Sequence, residues 1–190
     1  MVHILGISGS LRAQSFNTAL LHAAQAVAGA DVQIDAATLH GIPLYDGDLE
    51  ARDGTPQAVR ELKQRILASD GLLLVTPEYN NGVPGVFKNA VDWLSRNTPG
   101  LPPVFADRPV ALIGASPGGF GTIMSQNHWL PVLRTLGARL WSGGRLMVSR
   151  AGSVFGPDGA LQDEAIRKQL GEFVHGYAQF VAHTRREAAA

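Results

Sequence analysis

Val2-His3-Ile4-Leu5-Gly6-Ile7-Ser8-Gly9-Ser10-Leu11-Arg12-Ala13-Gln14-Ser15-Phe16-Asn17 runs an apolar segment straight into a polar loop and then into a helix start. The first seven residues are mostly apolar and partly β-branched, which suits a buried strand. Beyond the loop, Phe16, Ala19, Leu20, Ala23, Ala24 and Val27 recur at helical spacing. A helix beginning there offers unpaired backbone N–H groups and the positive end of its dipole. Ser10, Ser15 and Asn17 add short hydrogen-bonding side chains, and Arg12 adds a cation able to bind two oxygens at once. The loop therefore suits a phosphate monoester. Ser15 suits an ordinary N-cap beside a solvated Arg12 equally well, so these residues alone leave both readings open.

The rest of the composition narrows the field. With 190 residues the chain is long enough for one domain with a continuous core, and 1–190 is read as one unit. Sixteen Lys and Arg residues balance sixteen Asp and Glu, without a basic block, which argues against nucleic acid or an anionic membrane as partner and for a small-molecule ligand. Cysteine is absent, which excludes disulfides, thiolate nucleophiles and thiolate metal sites. That absence fits a reducing compartment, so a cytoplasmic location is expected. No leader pattern precedes the first strand, and no apolar run approaches the ~20 residues that cross a bilayer, so neither export nor membrane insertion is expected.

After the first helix, Val32 to Ala37 partly alternates and reads as a more exposed strand near a sheet edge. His40 to Thr55 has no period and is expected to be a loop, with Thr55 capping and Pro56 opening a helix that ends near Ala68. Leu72 to Val75 and Val110 to Ala115 are continuous apolar runs of the kind found in central parallel strands. Between them, Val86, Phe87, Ala90, Val91, Trp93 and Leu94 share one side of a helical wheel. Lys88/Asp92 and Asp92/Arg96 are spaced for ion pairs on the other side. A further helix is expected over about Thr122 to Leu136, kinked or broken at Pro131. Either or both of Arg139 to Trp141 and Arg145 to Val148 can supply the fifth strand. Ile166, Leu170, Phe173, Val174, Tyr177, Phe180 and Val181 mark a last helix, weakened at Gly171 and Gly176 and fraying from Ala188 to Ala190.

Strands alternating with helices through loops too long for hairpins give an α/β fold, a doubly wound five-stranded parallel sheet with helices on both faces. The flavodoxin-like order 2-1-3-4-5 fits five strands. Its ligand crevice lies beyond the carboxyl ends of the strands, where the order reverses. The loops that reach it start at Ser8, Thr76 and Ser116. The second, Thr76-Pro77-Glu78-Tyr79-Asn80-Asn81-Gly82-Val83-Pro84-Gly85, has defined turns and little freedom, suited to presenting backbone groups and Tyr79 to a flat heterocycle. By composition alone it is also an ordinary surface turn with Asn81-Gly82 at its apex. The third, Ser116-Pro117-Gly118-Gly119, offers glycines where a backbone must approach a ligand closely.

Gly9-Ser10-Leu11-Arg12 with Ser15 and Asn17, Pro77-Glu78-Tyr79-Asn80, Pro84-Gly85 with Lys88-Asn89-Ala90 and Asp92-Trp93, and the glycines after Ser116 together resemble the NAD(P)H-dependent FMN reductases, which include quinone and chromate reductases. The likeness covers about two thirds of the chain. It implies FMN as cofactor, with Ser10, Arg12, Ser15 and Asn17 on its phosphate and Pro77, Glu78, Tyr79, Asn80, Ser116, Gly118 and Gly119 along its ring system. It further implies NADPH or NADH as co-substrate, a quinone, free flavin or similar small-molecule acceptor, and a homodimer or homotetramer. In such enzymes the flavin carries the hydride step, so no protein acid, base or nucleophile is assigned. Two features depart from the family pattern: Thr122-Ile123-Met124-Ser125-Gln126 lacks an arginine before its Gln, and Pro131 interrupts a helix that is usually regular. Both concern the substrate rim and the subunit contact.

Other classes fit less well. Gly6-Ile7-Ser8-Gly9-Ser10 is not a nucleophile elbow, and the first loop lacks the glycine pattern of a dinucleotide-binding domain. The six histidines are scattered without metal-ligand spacing, so no metal is expected. The remaining alternative is a flavodoxin-like electron carrier acting on a protein partner. Such carriers tend to display a charged docking face, which zero net charge disfavours.

Overall fold

The computed structural model describes residues 1–189. Four strands, β1 (Val2–Ser8), β2 (Val32–Ala37), β3 (Gly71–Val75) and β4 (Pro109–Ala115), pair in parallel in the order β2-β1-β3-β4. The fifth position is filled twice. β5 (Arg139–Leu140) pairs with Pro109 and Val110, and β6 (Leu146–Val148) pairs with Ile113 to Ala115. Ile113 meets Val75 of β3 on its other side, so β6 follows β5 along the same edge of β4 and the two form one interrupted strand. The order is the expected 2-1-3-4-5, with the break at Gly143-Gly144, where the Trp141 indole lies within 3 Å of where a side chain would stand.

Successive strand residues point to opposite faces, and the core divides accordingly. Leu73, Val75, Ala111 and Ile113 pack with α1 (Phe16–Val27) and α7 (Glu164–Ala189). Leu72, Leu74, Val110 and Leu112 pack with α3 (Gln57–Leu67), α4 (Gly85–Ser95) and α5 (Ile123–Thr135). Every residue of β3 and β4 is buried, as their unbroken apolar runs require, whereas β2 at the edge is buried only at Ile34 and Ala37 and does not follow the partial alternation expected of it. The buried face of α4 is Phe87, Ala90, Val91, Trp93 and Leu94.

Several local expectations are corrected. The segment expected to be a loop up to Thr55 contains α2 (Gly47–Asp53), started by Asp46, whose side chain accepts from Asp48 N–H at 2.9 Å. None of its residues is buried, so it leaves no apolar period in the sequence. Its Glu50 takes the guanidinium of Arg96 at 2.9 Å, so Arg96 pairs there and not with Asp92, while Lys88 and Asp92 pair at 2.6 Å as spaced. Thr55 does not cap α3; its hydroxyl meets Thr98 Oγ1 at 3.0 Å, and Pro56 holds the cap position. α5 continues through Pro131 without a break. The carbonyl deprived of a partner there belongs to exposed Asn127, which water can satisfy. Gly176 has a packing reason, since a Cβ would come within 3.0 Å of Trp141. α7 is continuous through Ala189, and Ala190, where fraying was also expected, lies outside the described residues.

Candidate active site

The carboxyl ends of β1, β3 and β4 lie side by side, so the three loops that follow them converge. Two adjoining clefts open there. The first is lined by Ser10, Arg12, Ser15, Asn17, Pro77, Glu78, Tyr79 and Ser116, among others. The second is lined by Glu78, Asn80, Asn81, Ser116, Gly118, Gly119, Phe120 and Gly121. Glu78 and Ser116 belong to both. All eleven residues singled out in the sequence therefore border this pair of adjoining clefts, which share Glu78 and Ser116 and together form one crevice at the ends of the three strands. Its charged lining consists of Arg12 at one end and Glu78 in the middle.

In the first loop Ser15 is the N-cap of α1, its hydroxyl accepting from Asn17 N–H at 3.2 Å and Thr18 N–H at 3.3 Å. The plain capping reading is thus true of Ser15. It stands beside a second fact: among the described residues, the N–H groups of Leu11, Ala13, Gln14 and Ser15 have no protein acceptor. Ser10 Oγ accepts from Arg12 N–H at 3.3 Å and lies 3.5 Å from Tyr79 Oη, joining the first loop to the second. Arg12 is exposed, and among the described residues its guanidinium is held only by Gln14 C=O at 3.3 Å. Asn17 is buried and turned inward. Its Oδ1 accepts from Ala115 N–H and its Nδ2 donates to Ala115 C=O, both at 2.9 Å, which leaves one Nδ2 hydrogen for the cleft it borders.

The second loop is a two-residue hairpin. Tyr79 and Gly82 exchange both backbone hydrogen bonds, and Asn80 and Asn81 sit at φ 50° and 59°. Two successive left-handed residues define the tight turn that asparagine tolerates best after glycine. The apex is therefore Asn80-Asn81 and not Asn81-Gly82. Thr76 anchors the base of the loop: its hydroxyl donates to Pro77 C=O, meets Ser125 Oγ at 2.9 Å and accepts from Trp129 Nε1–H at 3.0 Å.

The third loop is stitched to the segment after β6. Ser116 N–H donates to Val148 C=O, Arg150 N–H to Gly118 C=O and Ala151 N–H to Ser116 C=O. Neither Gly118 nor Gly119 has a positive φ. A Cβ on Gly119 would meet nothing within 4 Å, and one on Gly118 only Ser116 Oγ at 3.5 Å. Packing within the chain does not require glycine at either position, whereas close approach of a ligand does.

Two features went unread in the sequence. Phe120, 85% exposed, stands on the rim between Gly119 and Gly121. The other is the task of the Glu78 carboxylate. Thr122, the residue before α5, makes no side-chain cap. Glu78 Oε2 accepts from Met124 N–H at 2.9 Å and Ser125 N–H at 3.1 Å, the two groups an N-cap side chain would take. An aromatic set among glycines was a legible signal for the first. Nothing local marks a cap supplied from 46 residues away.

The donor set fits FMN: free N–H groups, two serine hydroxyls and a guanidinium at one end, and a glycine-walled slot with a rigid hairpin at the other. Among the described residues no cluster of side chains suits a metal ion, and no helix is long and apolar enough to cross a membrane. The family model of NADPH-dependent FMN reductases matches residues 2–153. An NAD(P)H-dependent FMN reductase of Pseudomonas aeruginosa is 39% identical over 184 residues, covering 97% of each chain. A 2-hydroxy-1,4-benzoquinone reductase of a Burkholderia species is 38% identical, covering 94% of this chain and 96% of that one. Among solved structures, the flavoenzyme NAD(P)H:(acceptor) oxidoreductase FerB of Paracoccus denitrificans superposes with a TM-score of 0.85 at 31% identity, over 97% of this chain and 99% of that one. With its crevice, its three loops and these likenesses in agreement, the chain belongs to the NADPH-dependent FMN reductase family.

Proposed function

We propose that the chain, as a single FMN-binding domain over 1–190, oxidises NADPH or NADH and delivers the electrons to quinones, free flavin or related small-molecule acceptors. The observation that carries this reading is the convergence of all three loops on one crevice with Arg12 at its end. Bound FMN supplies the redox chemistry, accepting a hydride and passing its electrons on. The protein's work is to hold and orient. Arg12, Ser10 and the free N–H groups of the first loop bind the phosphate, Ser15 and Asn17 fix the helix start behind it, and Pro77 to Asn80 with Ser116, Gly118 and Gly119 border the ring system. Exposed Phe120, Ile123, Met124 and Leu130 support a homodimer or homotetramer that covers this side of the molecule. The absence of cysteine supports a reducing, cytoplasmic setting.

Following NADPH and NADH oxidation anaerobically, with and without a benzoquinone or added FMN, tests the activity. Oxidation stimulated by these acceptors is expected. Oxidation that none of them accelerates favours an electron carrier that needs a protein partner.

A further inference from the structure

We infer that Glu78 is a positioning residue that holds the flavin loop on the N-terminus of α5 and screens that positive helix end from the ring system, so that its charge lowers the reduction potential of bound FMN. Three observations converge on it. Glu78 borders both clefts and is the one acidic side chain in their lining. Its Oε2 takes the N–H groups of Met124 and Ser125. Thr122, where the helix would ordinarily supply its own cap, makes no side-chain cap; its hydroxyl accepts from Gln126 Nε2 at 3.0 Å.

The electrostatic sign follows from these contacts. The thirteen-residue helix α5 presents about half a positive charge at its first turn, and the carboxylate brings a full negative one. Their sum leaves the middle of the crevice negative. Uptake of a hydride, two electrons and one proton, brings one unit of negative charge to the ring, which this field opposes. A Glu78→Gln side chain keeps an oxygen for the two N–H groups and removes only the charge, exposing the helix dipole. The potential then rises.

The inference rests on the crevice being the flavin site, and the experiment separates the two. Midpoint potentials of wild-type and E78Q protein loaded with FMN are compared by dye equilibration, alongside FMN affinities of wild type and Arg12→Ala. A positive shift in E78Q is expected, about a tenfold rise in the ratio of reduced to oxidised flavin at fixed poise, which is about 30 mV for a two-electron couple. An unchanged or more negative potential in E78Q, with R12A weakening FMN, overturns the role of Glu78 and leaves the crevice intact. An unchanged FMN affinity in R12A overturns the crevice reading itself. The structural half is read without flavin: amide exchange at Met124 and Ser125 speeds up in Glu78→Ala and stays near wild type in E78Q, and wild-type exchange in both variants contradicts the tie.

Discussion

Asn17 and Ala115, 98 residues apart, exchange two hydrogen bonds of 2.9 Å through the Asn17 amide and the Ala115 backbone. One side chain at the start of α1 thereby completes the pairing at the end of β4, and the loop after β1 and the loop after β4 are fixed to each other. Both are buried, Asn17 at 3% exposure and Ala115 at 2%, so water does not compete for these groups.

Replacing Asn17 with Ala leaves the Ala115 N–H and C=O buried without partners, at a cost of about 1–3 kcal/mol for each orphaned group. A clear loss of stability in urea denaturation is expected, with weaker FMN binding. Asn17→Asp keeps an acceptor for the N–H but sets an oxygen against the Ala115 carbonyl, and is expected to bind FMN no better than the alanine variant.

Arg12 is exposed and held by one carbonyl, so its removal should scarcely affect folding. Arg12→Ala is expected to weaken FMN binding by about 1.5–3 kcal/mol, the range for a hydrogen bond to a charged group. Flavin fluorescence titration measures it. Riboflavin, which lacks the phosphate, should bind wild type and variant alike.

Gly114 has no room for a side chain. A Cβ there would stand 2.1 Å from Thr76 C=O and 2.4 Å from Thr122 Oγ1, pressing on the base of the loop after β3 and the start of α5 together. Gly114→Ala is expected to lower stability by about 1–3 kcal/mol and to weaken FMN binding in parallel. Thermal unfolding and flavin titration on the same sample check both.

Lys63 is buried at 1% exposure, its Nζ donating to Arg96 C=O and, at 2.7 Å, to Thr98 Oγ1 beyond the end of α4. Burial pushes its ammonium below the ordinary lysine range. The unfolded chain therefore keeps this proton to higher pH than the folded one. Stability from this residue rises as pH climbs from the folded value towards the unfolded one. Urea denaturation of wild type and Lys63→Met at neutral and alkaline pH should show the difference moving in favour of wild type at the higher pH. Movement the other way contradicts the assignment.

The fold was legible because β3 and β4 are apolar without interruption and because α4 and α7 keep strict helical spacing. Those patterns come from burial on both faces of a sheet or along one stripe of a helix. The crevice was legible because its loops carry residues that neither packing nor ordinary turns require, such as Gly118-Gly119. What escaped reading depends on pairs distant in sequence. α2 buries nothing, so no period marks it; Arg96 chose Glu50 over the Asp92 beside it; and Glu78 caps a helix whose own Thr122 makes no cap. Asn17 was legible as a polar residue at a helix start, but its partner on β4 was not, since that pairing exists only once the sheet has formed.

A crystal structure of the chain with FMN decides whether the crevice between the three loops is the flavin site. The phosphate is expected within hydrogen-bond reach of Ser10, Arg12 and the N–H groups of the Leu11 to Ser15 loop, with the ring between the Tyr79-Asn80 hairpin and Gly118-Gly119. FMN bound elsewhere, or seated with its phosphate away from Arg12, contradicts that assignment.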